Sequence, residues 1–467
     1  MSFLIVLGAL AFLMLVAYRG YSVILFAPVA AMGAVLLTDP SLVAPMFTGL
    51  FMDRMVGFLK LYFPVFLLGA VFGKVIELSG FSKSIVAATI RVAGAGRAIL
   101  AIVLVCALLT YGGVSLFVVV FAVYPFAAEL FRQGDIPKRL IPGAIALGAF
   151  TFTMTALPGS PQIQNIIPTA FFGTDAWAAP VLGGIAAVFI LVAGIAYLEW
   201  RRRSAMRAGE GYAGALPLVN EPEPFGGERL ANPWIAILPL VLVGVSNKLF
   251  TVLIPRYYGA EHSFSPSVVG EAAPVVQEVS RVAAIWAVEG ALLVGILSVL
   301  LLAWRPVRHR FAEGSKAAVG GALLAGMNTA SEYGFGAVIA ALPGFLVVAD
   351  TLNAIPDPLV NEAVTVNVLA GITGSASGGM GIALAAMADS FIAGAEAAGI
   401  PMELLHRVAS IASGGLDTLP HNGAVITLLA VTGLTHRQSY KDIFAITLIS
   451  TASVFLVIGL YYATGWV

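Results

Sequence analysis

The sequence predicts an all-α polytopic membrane protein built from inverted-topology repeats, with broken helices and re-entrant hairpins and roughly 11–14 membrane segments. Three observations carry this. Hydrophobic residues make up 59% of the 467 residues and charged residues only 11%, with a mean hydropathy of +0.96. A water-soluble chain of this length needs far more charge to cover its surface. Apolar windows of about 18 residues or more recur along the chain, each long enough to cross a bilayer as a helix. Polar, Pro/Gly-rich breaks interrupt two of them, TALPGSPQIQN (155–165) and SGGLDTLPHNG (413–423).

Taken in order, MSFLIVLGALAFLMLVA lacks a basic leader, and a second apolar run follows Tyr18-Arg19-Gly20, so it reads as a first span and not as a cleaved signal. Residues 1–54 form the N-terminal spans, closed by a short amphipathic piece at 40–53. Residues 55–200 hold the blocks 55–79, 98–131, 140–157 and 178–200. Residues 201–233 are a polar linker whose Arg201, Arg202, Arg203 and Arg207 place it in the cytoplasm. Residues 234–316 supply two connecting spans ending in a second basic loop, Arg305 to Lys316, so the loop 251–281 lies outside. Residues 317–467 hold the blocks 317–349, 362–398, 404–434 and 442–464. Several blocks are too long for one crossing and too short for two, the pattern of broken helices and re-entrant hairpins.

The second cluster echoes the first. FGKVIELSGF (72–81) matches FGAVIAALPGF (335–345), about 264 residues later. GGVSLF (112–117), QGDIPKRL (133–140) and the first break fall opposite GGMGIA (378–383), AGIPMELL (398–405) and DTLPHNGAV (417–425). The charge bias starts the two clusters on opposite membrane faces, which makes the repeat an inverted one.

In hydrocarbon an unpaired backbone group costs several kcal/mol, so helices break only where protein or a wet cavity satisfies them. Two related breaks at mid-membrane offer loose N–H groups and helix N-termini to one shared site, which suits a carboxylate. The candidate substrate-binding residues are Gly113, Ser115, Thr155, Gly159, Ser160, Gln162 and Asn165 from the first repeat. From the second they are Asn328, Ser331, Ser375, Ser377, Gly378, Gly379, Thr418, His421 and Asn422. The plainer reading of each break is a Pro/Gly kink facing another helix, and the matched pair argues against it.

Ionisable groups inside apolar segments are costly and mark ion or proton pathways. Asp417 and His421 flank Pro420 and can approach each other; either residue type can carry a coupling proton. Glu332, at an expected hairpin tip beside Asn328, Thr329 and Ser331, is the third proton-coupling candidate. Lys74 and Glu77 are one turn apart and pair locally, and His262, His309, His406 and His436 read as solvated. No arginine is expected near either break, which favours a monocarboxylate over a dicarboxylate.

ASGGLDTLPHNGAVITLLAVTGLTHRQSYK (412–441) resembles the C-terminal signature of the gluconate permease family of proton symporters, and GITGSASGGMG (371–381) resembles its Gly-Ser-Ala segment. The first half departs: YGGVSLFVVVFAVYPF and LPGSPQIQN lack the family's Phe-Phe-x-x-Gly and His-Pro-Gly-Pro patterns, which leaves open a branch handling small hydroxy-acids such as 3-hydroxybutyrate. The resemblance implies a bacterial inner-membrane carrier that imports a small organic anion. It also implies a homodimer in which a transport domain moves against a scaffold as an elevator. A coupling proton is preferred, with sodium held by hydroxyls and carbonyls near Ser375, Ser377 and Ser413 as the alternative. The expected partners are therefore the anion, the coupling cation and the bilayer, with no nucleic acid, cofactor or metal. An enzyme would need a nucleophile–base set or a metal cluster, and no such spacing occurs. A channel fits duplicated breaks less well than alternating access does.

Overall fold

The computed structural model describes residues 2–19, 21–93, 97–114, 116–214, 218–222, 230–264, 275–345, 355–420 and 422–467. Two apolar helices open the chain, α1 (Ser2–Tyr18) and α2 (Val23–Thr38). Asp39 then starts a tightly wound run by accepting the Ser41 N–H; this run includes α3 (Val43–Met46) and a π-helical turn at Phe47–Phe51. It leads into α4 (Met52–Leu78) and α5 (Phe81–Ala93). The block expected at 98–131 is a hairpin of α6 (Ala98–Tyr111) and α7 (Leu116–Gln133). Next comes a broken helix, α8 (Ile141–Ala149), α9 (Phe152–Thr155) and α10 (Ile163–Phe172), and then α11 (Pro180–Arg207).

Beyond the linker, α12 (Pro233–Tyr258) and α13 (Val279–Arg308) pack side by side, and α13 kinks at Ala303 (φ −135°, ψ 36°). A small exposed antiparallel pair, β1 (Glu261–Phe264) and β2 (Val275–Glu278), lies between them in sequence, where the composition predicts only a loop. The second cluster is α14 (Phe311–Ala341), a hairpin of α15 (Pro358–Thr373) and α16 (Ala376–Ala398), a broken helix of α17 (Met402–Ser413) and α18 (Gly423–Thr432), and α19 (His436–Thr464). Among the described residues, six helices are long and apolar enough to cross a membrane.

The order of the first cluster recurs in the second: long helix, hairpin, broken helix, long helix. The details recur too. α10 and α18 are both ten residues long, and both stop at a left-handed glycine, Gly173 (φ 63°) and Gly433 (φ 66°). Corresponding long helices pack antiparallel. Gly314 of α14 faces Lys74 and Leu78 at the end of α4, and Gly334 faces Phe51 at its start. Val181 N donates to Val467 O at one end of the α11–α19 pair, while Tyr197 and Arg201 donate to Asp442 at the other. A two-fold axis in the membrane plane requires this antiparallel pairing of equivalents.

Close helix approach depends on small residues, since lipid provides no hydrophobic drive between helices. At Gly148 a Cβ would fall 2.5 Å from the Val103 carbonyl, so α8 lies directly on α6 over the buried Cys106. At the linker end, charge takes over from packing. Asp442 accepts from Arg139 (3.3 Å) and Arg201 (2.6 Å). Glu210 pairs with Arg139 (2.6 Å), and Glu221 with Arg132 and Lys138 (2.7 Å each), so linker residues are sewn to the α7–α8 connection. The Arg139 hydrogen bond holds the Glu210 carboxyl below the ordinary carboxylate range. Lys74 and Glu77 form the expected local pair (2.9 Å).

Candidate functional site

The first break follows from Pro158, Gly159 and Pro161. Proline has no N–H to continue the helix, and Gly159 turns the chain at φ 77°. Nearby side chains satisfy the carbonyls thus freed. The Ser160 hydroxyl donates to Thr153 O (2.7 Å), and the Tyr111 hydroxyl to Pro158 O (2.8 Å). Gln162 Nε2 donates to Thr110 O (2.7 Å) at the end of α6. Asn165 Nδ2 donates to Ser160 O (2.8 Å) and Ala176 O (2.9 Å).

The second break is built the same way from different residues. Ser450 donates to Gly414 O (2.9 Å) and Tyr440 to Thr418 O (3.1 Å); the Thr418 and Thr447 hydroxyls bond each other. Asn422 caps α18, its Oδ1 accepting from Ala424 N (2.6 Å) and Val425 N (3.0 Å). Its Nδ2 donates to Asp417 O (2.9 Å) and to Gly374 O (2.8 Å) at the end of α15. Gln162 and Asn422 occupy the same place, the N-cap of the helix after the break, and each ties its break to its own hairpin tip.

The two breaks touch. Thr155 O, the last carbonyl of α9, accepts from Ser410 Oγ (2.7 Å) and Arg407 Nη1 (3.1 Å). A Cβ on Gly414 would fall 2.8 Å from Thr155 Cγ2. Gly113 (φ 94°) brings the first hairpin tip against Pro161.

A second cluster lies where α14 meets the other tip. Ser375 caps α16 by accepting Gly378 N (3.0 Å). Glu332 reaches the same point: a Cβ on Gly378 would fall 1.6 Å from its Oε2, and the Ser375 hydroxyl hydrogen-bonds its carboxyl. Thr329 and Ser377 pair at 3.2 Å. Gly379 lies against Ala370 of α15, and Asn328 is half-buried on α14.

Several sequence expectations change. Glu332, Asn328 and Ser331 are in the middle of one continuous helix and not at a hairpin tip, because MNTASEYGFG carries no proline and its glycines pack helix on helix. The described hairpin-tip residues are 112–114 and 374–375, so Gly112-Gly113 corresponds to Gly374-Ser375; Gly378 and Gly379 sit inside the first turn of α16. His406 is fully buried and not solvated: its Nδ1 lies 2.7 Å from Thr174 Oγ1 and its Nε2 3.3 Å from Asn165 Oδ1. An arginine does reach a break, since α17 swings Arg407 onto the first one. Ser115 and His421 lie outside the described residues.

The polar side chains divide into two groups. Asn165 and Asn422 are saturated by protein partners: Asn165 Oδ1 also accepts from Arg407 Nη1 (3.0 Å). Other buried atoms have no partner among the described residues. These include Thr110 Oγ1, Ser331 Oγ, Glu332 Oε2, both Glu362 oxygens, Asn367 Oδ1 and Asp417 Oδ1. A buried orphan polar atom calls for an explanation, and a missing ligand or ion is one. Sequence reasoning missed Arg407, Glu362 and Asn367. The available signal was a charge among Leu404, Val408 and Ile411 at helical spacing, on the face a helix buries.

No family model matches the chain. It is 59% identical over 475 residues to a protein of Bacillus subtilis (strain 168) described as "Uncharacterized transporter YxjC", covering 100% of both chains. Among solved structures it is similar to the Alcanivorax borkumensis YdaH transporter, with a TM-score of 0.47 and 16% identity over 92% of this chain and 90% of that one. The chain is an all-α polytopic membrane protein and, on 59% identity across both full lengths, belongs to the family of the Bacillus subtilis transporter YxjC.

Proposed function

We propose that the chain is a secondary active transporter that imports a small organic monocarboxylate together with a proton. The observation that carries this reading is the contact between two broken helices, Thr155 against Gly414, with each break bonded to its own hairpin tip. Repeated, inverted, discontinuous helices meeting inside a bundle are the usual architecture of alternating-access carriers. The relative's description as a transporter points the same way. The resemblance to gluconate permeases supports a hydroxy-acid such as gluconate or 3-hydroxybutyrate, an elevator movement, a homodimer and a bacterial inner-membrane location.

In this reading Ser160, Gln162 and the saturated Asn165 and Asn422 hold the breaks open. The orphaned atoms near the tips complete the ligand and proton sites. Asp417 is the first coupling candidate: it is buried in the second break with Oδ1 unpartnered, and no ion pair to it occurs among the described residues. Glu332, on α14 and facing the second hairpin tip, is the second buried carboxyl. A proton loaded with a monocarboxylate makes the site neutral and lowers the cost of carrying it through hydrocarbon.

Counterflow in proteoliposomes tests the reading. Trapped unlabelled gluconate or 3-hydroxybutyrate should accelerate entry of the labelled compound, and an imposed pH gradient should drive its accumulation. Flux without counterflow would make the protein a channel, and accumulation that follows sodium and ignores pH would move the coupling ion to sodium.

A further inference from the structure

Arg407 is fully buried on α17. Its Nε and Nη2 donate to Ala178 O (3.1 and 2.7 Å), and its Nη1 to Thr155 O (3.1 Å) and Asn165 Oδ1 (3.0 Å). Every one of these acceptors is neutral. No carboxylate pairs with it among the described residues; Asp175 acts on it only from beyond ion-pair distance, and its Oδ1 accepts the Trp177 N–H (2.7 Å). Tyr111, where α6 reaches the first hairpin tip, is also within its electrostatic reach. The guanidinium thus stands one carbonyl away from the contact between the breaks, on the helix that itself ends in the second break.

Neutral donors suffice to brace carbonyls, and burying a cation for that purpose alone is costly. A buried charge whose partners are only dipoles is stabilised when a countercharge arrives, and the low-dielectric surroundings extend its field to nearby atoms. We propose that Arg407 is the positioning residue that selects a substrate bearing one carboxylate: its charge, acting through the Thr155 carbonyl and the Tyr111 end of the hairpin tip, makes the junction of the breaks attractive to an anion. This deepens the anion-carrier reading and rests on it. One buried guanidinium matches one carboxylate.

The test is charge discrimination. Binding of gluconate and 3-hydroxybutyrate is titrated against their uncharged amides, gluconamide and 3-hydroxybutyramide, by calorimetry on the purified full chain and on the Arg407→Lys and Arg407→Gln variants. Wild type should prefer the anion by about tenfold or more. Arg407→Lys should keep the preference at lower absolute affinity, and Arg407→Gln should lose it while amide binding stays. If both variants weaken anion and amide by the same factor, Arg407 is only a brace and the proposal is wrong. A wild-type protein that binds anion and amide equally also overturns it, without any variant having to fold. A wild-type protein that binds none of the four compounds overturns the hydroxy-acid reading and this inference together.

Discussion

Replacing Asn422 removes a structural joint, and its cost can be worked from the bonds. The side chain accepts two N–H groups at the start of α18 and donates to Gly374 O and Asp417 O. Loss of an N-cap costs about 1 kcal/mol. Each buried carbonyl left without a donor adds about 1 kcal/mol or more. Asn422→Ala should therefore destabilise the protein by about 3 kcal/mol, and Asn422→Ser, which keeps a capping oxygen but cannot reach the carbonyls, by about 2 kcal/mol. For a chain this long, that is roughly 1–2 °C of melting temperature per kcal/mol. Thermal unfolding of the detergent-solubilised protein should rank wild type above Ser above Ala, with Ala lower by about 3–6 °C. Counterflow should fall in the same order, because the bond to Gly374 holds the second hairpin tip to its break. If Asn422→Ala melts with wild type but loses ligand affinity, the side chain serves the substrate directly and the structural account fails.

Gly414→Val should force the two breaks apart, since even a Cβ would stand 2.8 Å from Thr155 Cγ2; about 1–3 kcal/mol of overpacking and loss of counterflow are expected, and normal counterflow would show that the contact is dispensable. Asp417→Asn and His421→Gln should abolish uptake driven by a pH gradient while sparing exchange, which moves no net proton; if both keep gradient-driven uptake, Glu332 or a sodium ion takes over the coupling role. At the linker end, the Arg139 hydrogen bond keeps the Glu210 carboxyl below its ordinary value of 4.5, so its stabilisation is whole above that pH and disappears as pH falls through the lower folded value. Glu210→Gln should flatten the acid limb of the melting-temperature profile, and an unchanged limb would show that this pair contributes nothing.

The sequence by itself determined the membrane class, the positions of both breaks and the antiparallel repeat. Each depends on local or periodic information: apolar length, Pro/Gly punctuation and arginine bias between loops. Residues 155–165 and 413–423 could be read because proline cannot donate a helical hydrogen bond wherever the chain runs. Tertiary structure decided which partners each polar side chain meets. Asn165 and Asn422 look like ligand groups in the sequence, yet each spends its donor on two backbone carbonyls, one in its own break (Ser160, Asp417) and one outside it (Ala176, Gly374). Glu332 looks like a tip residue, but glycine in MNTASEYGFG serves helix packing and does not end the helix. His406 reads as solvated in the sequence; the break that follows lets its helix stop inside the bundle, where residues 404–413 are buried on every side, so His406 and Arg407 go inward too. Burial depends on which helices surround a residue, and contacts such as Arg407 to Thr155 join segments about 250 residues apart, beyond the reach of any local pattern.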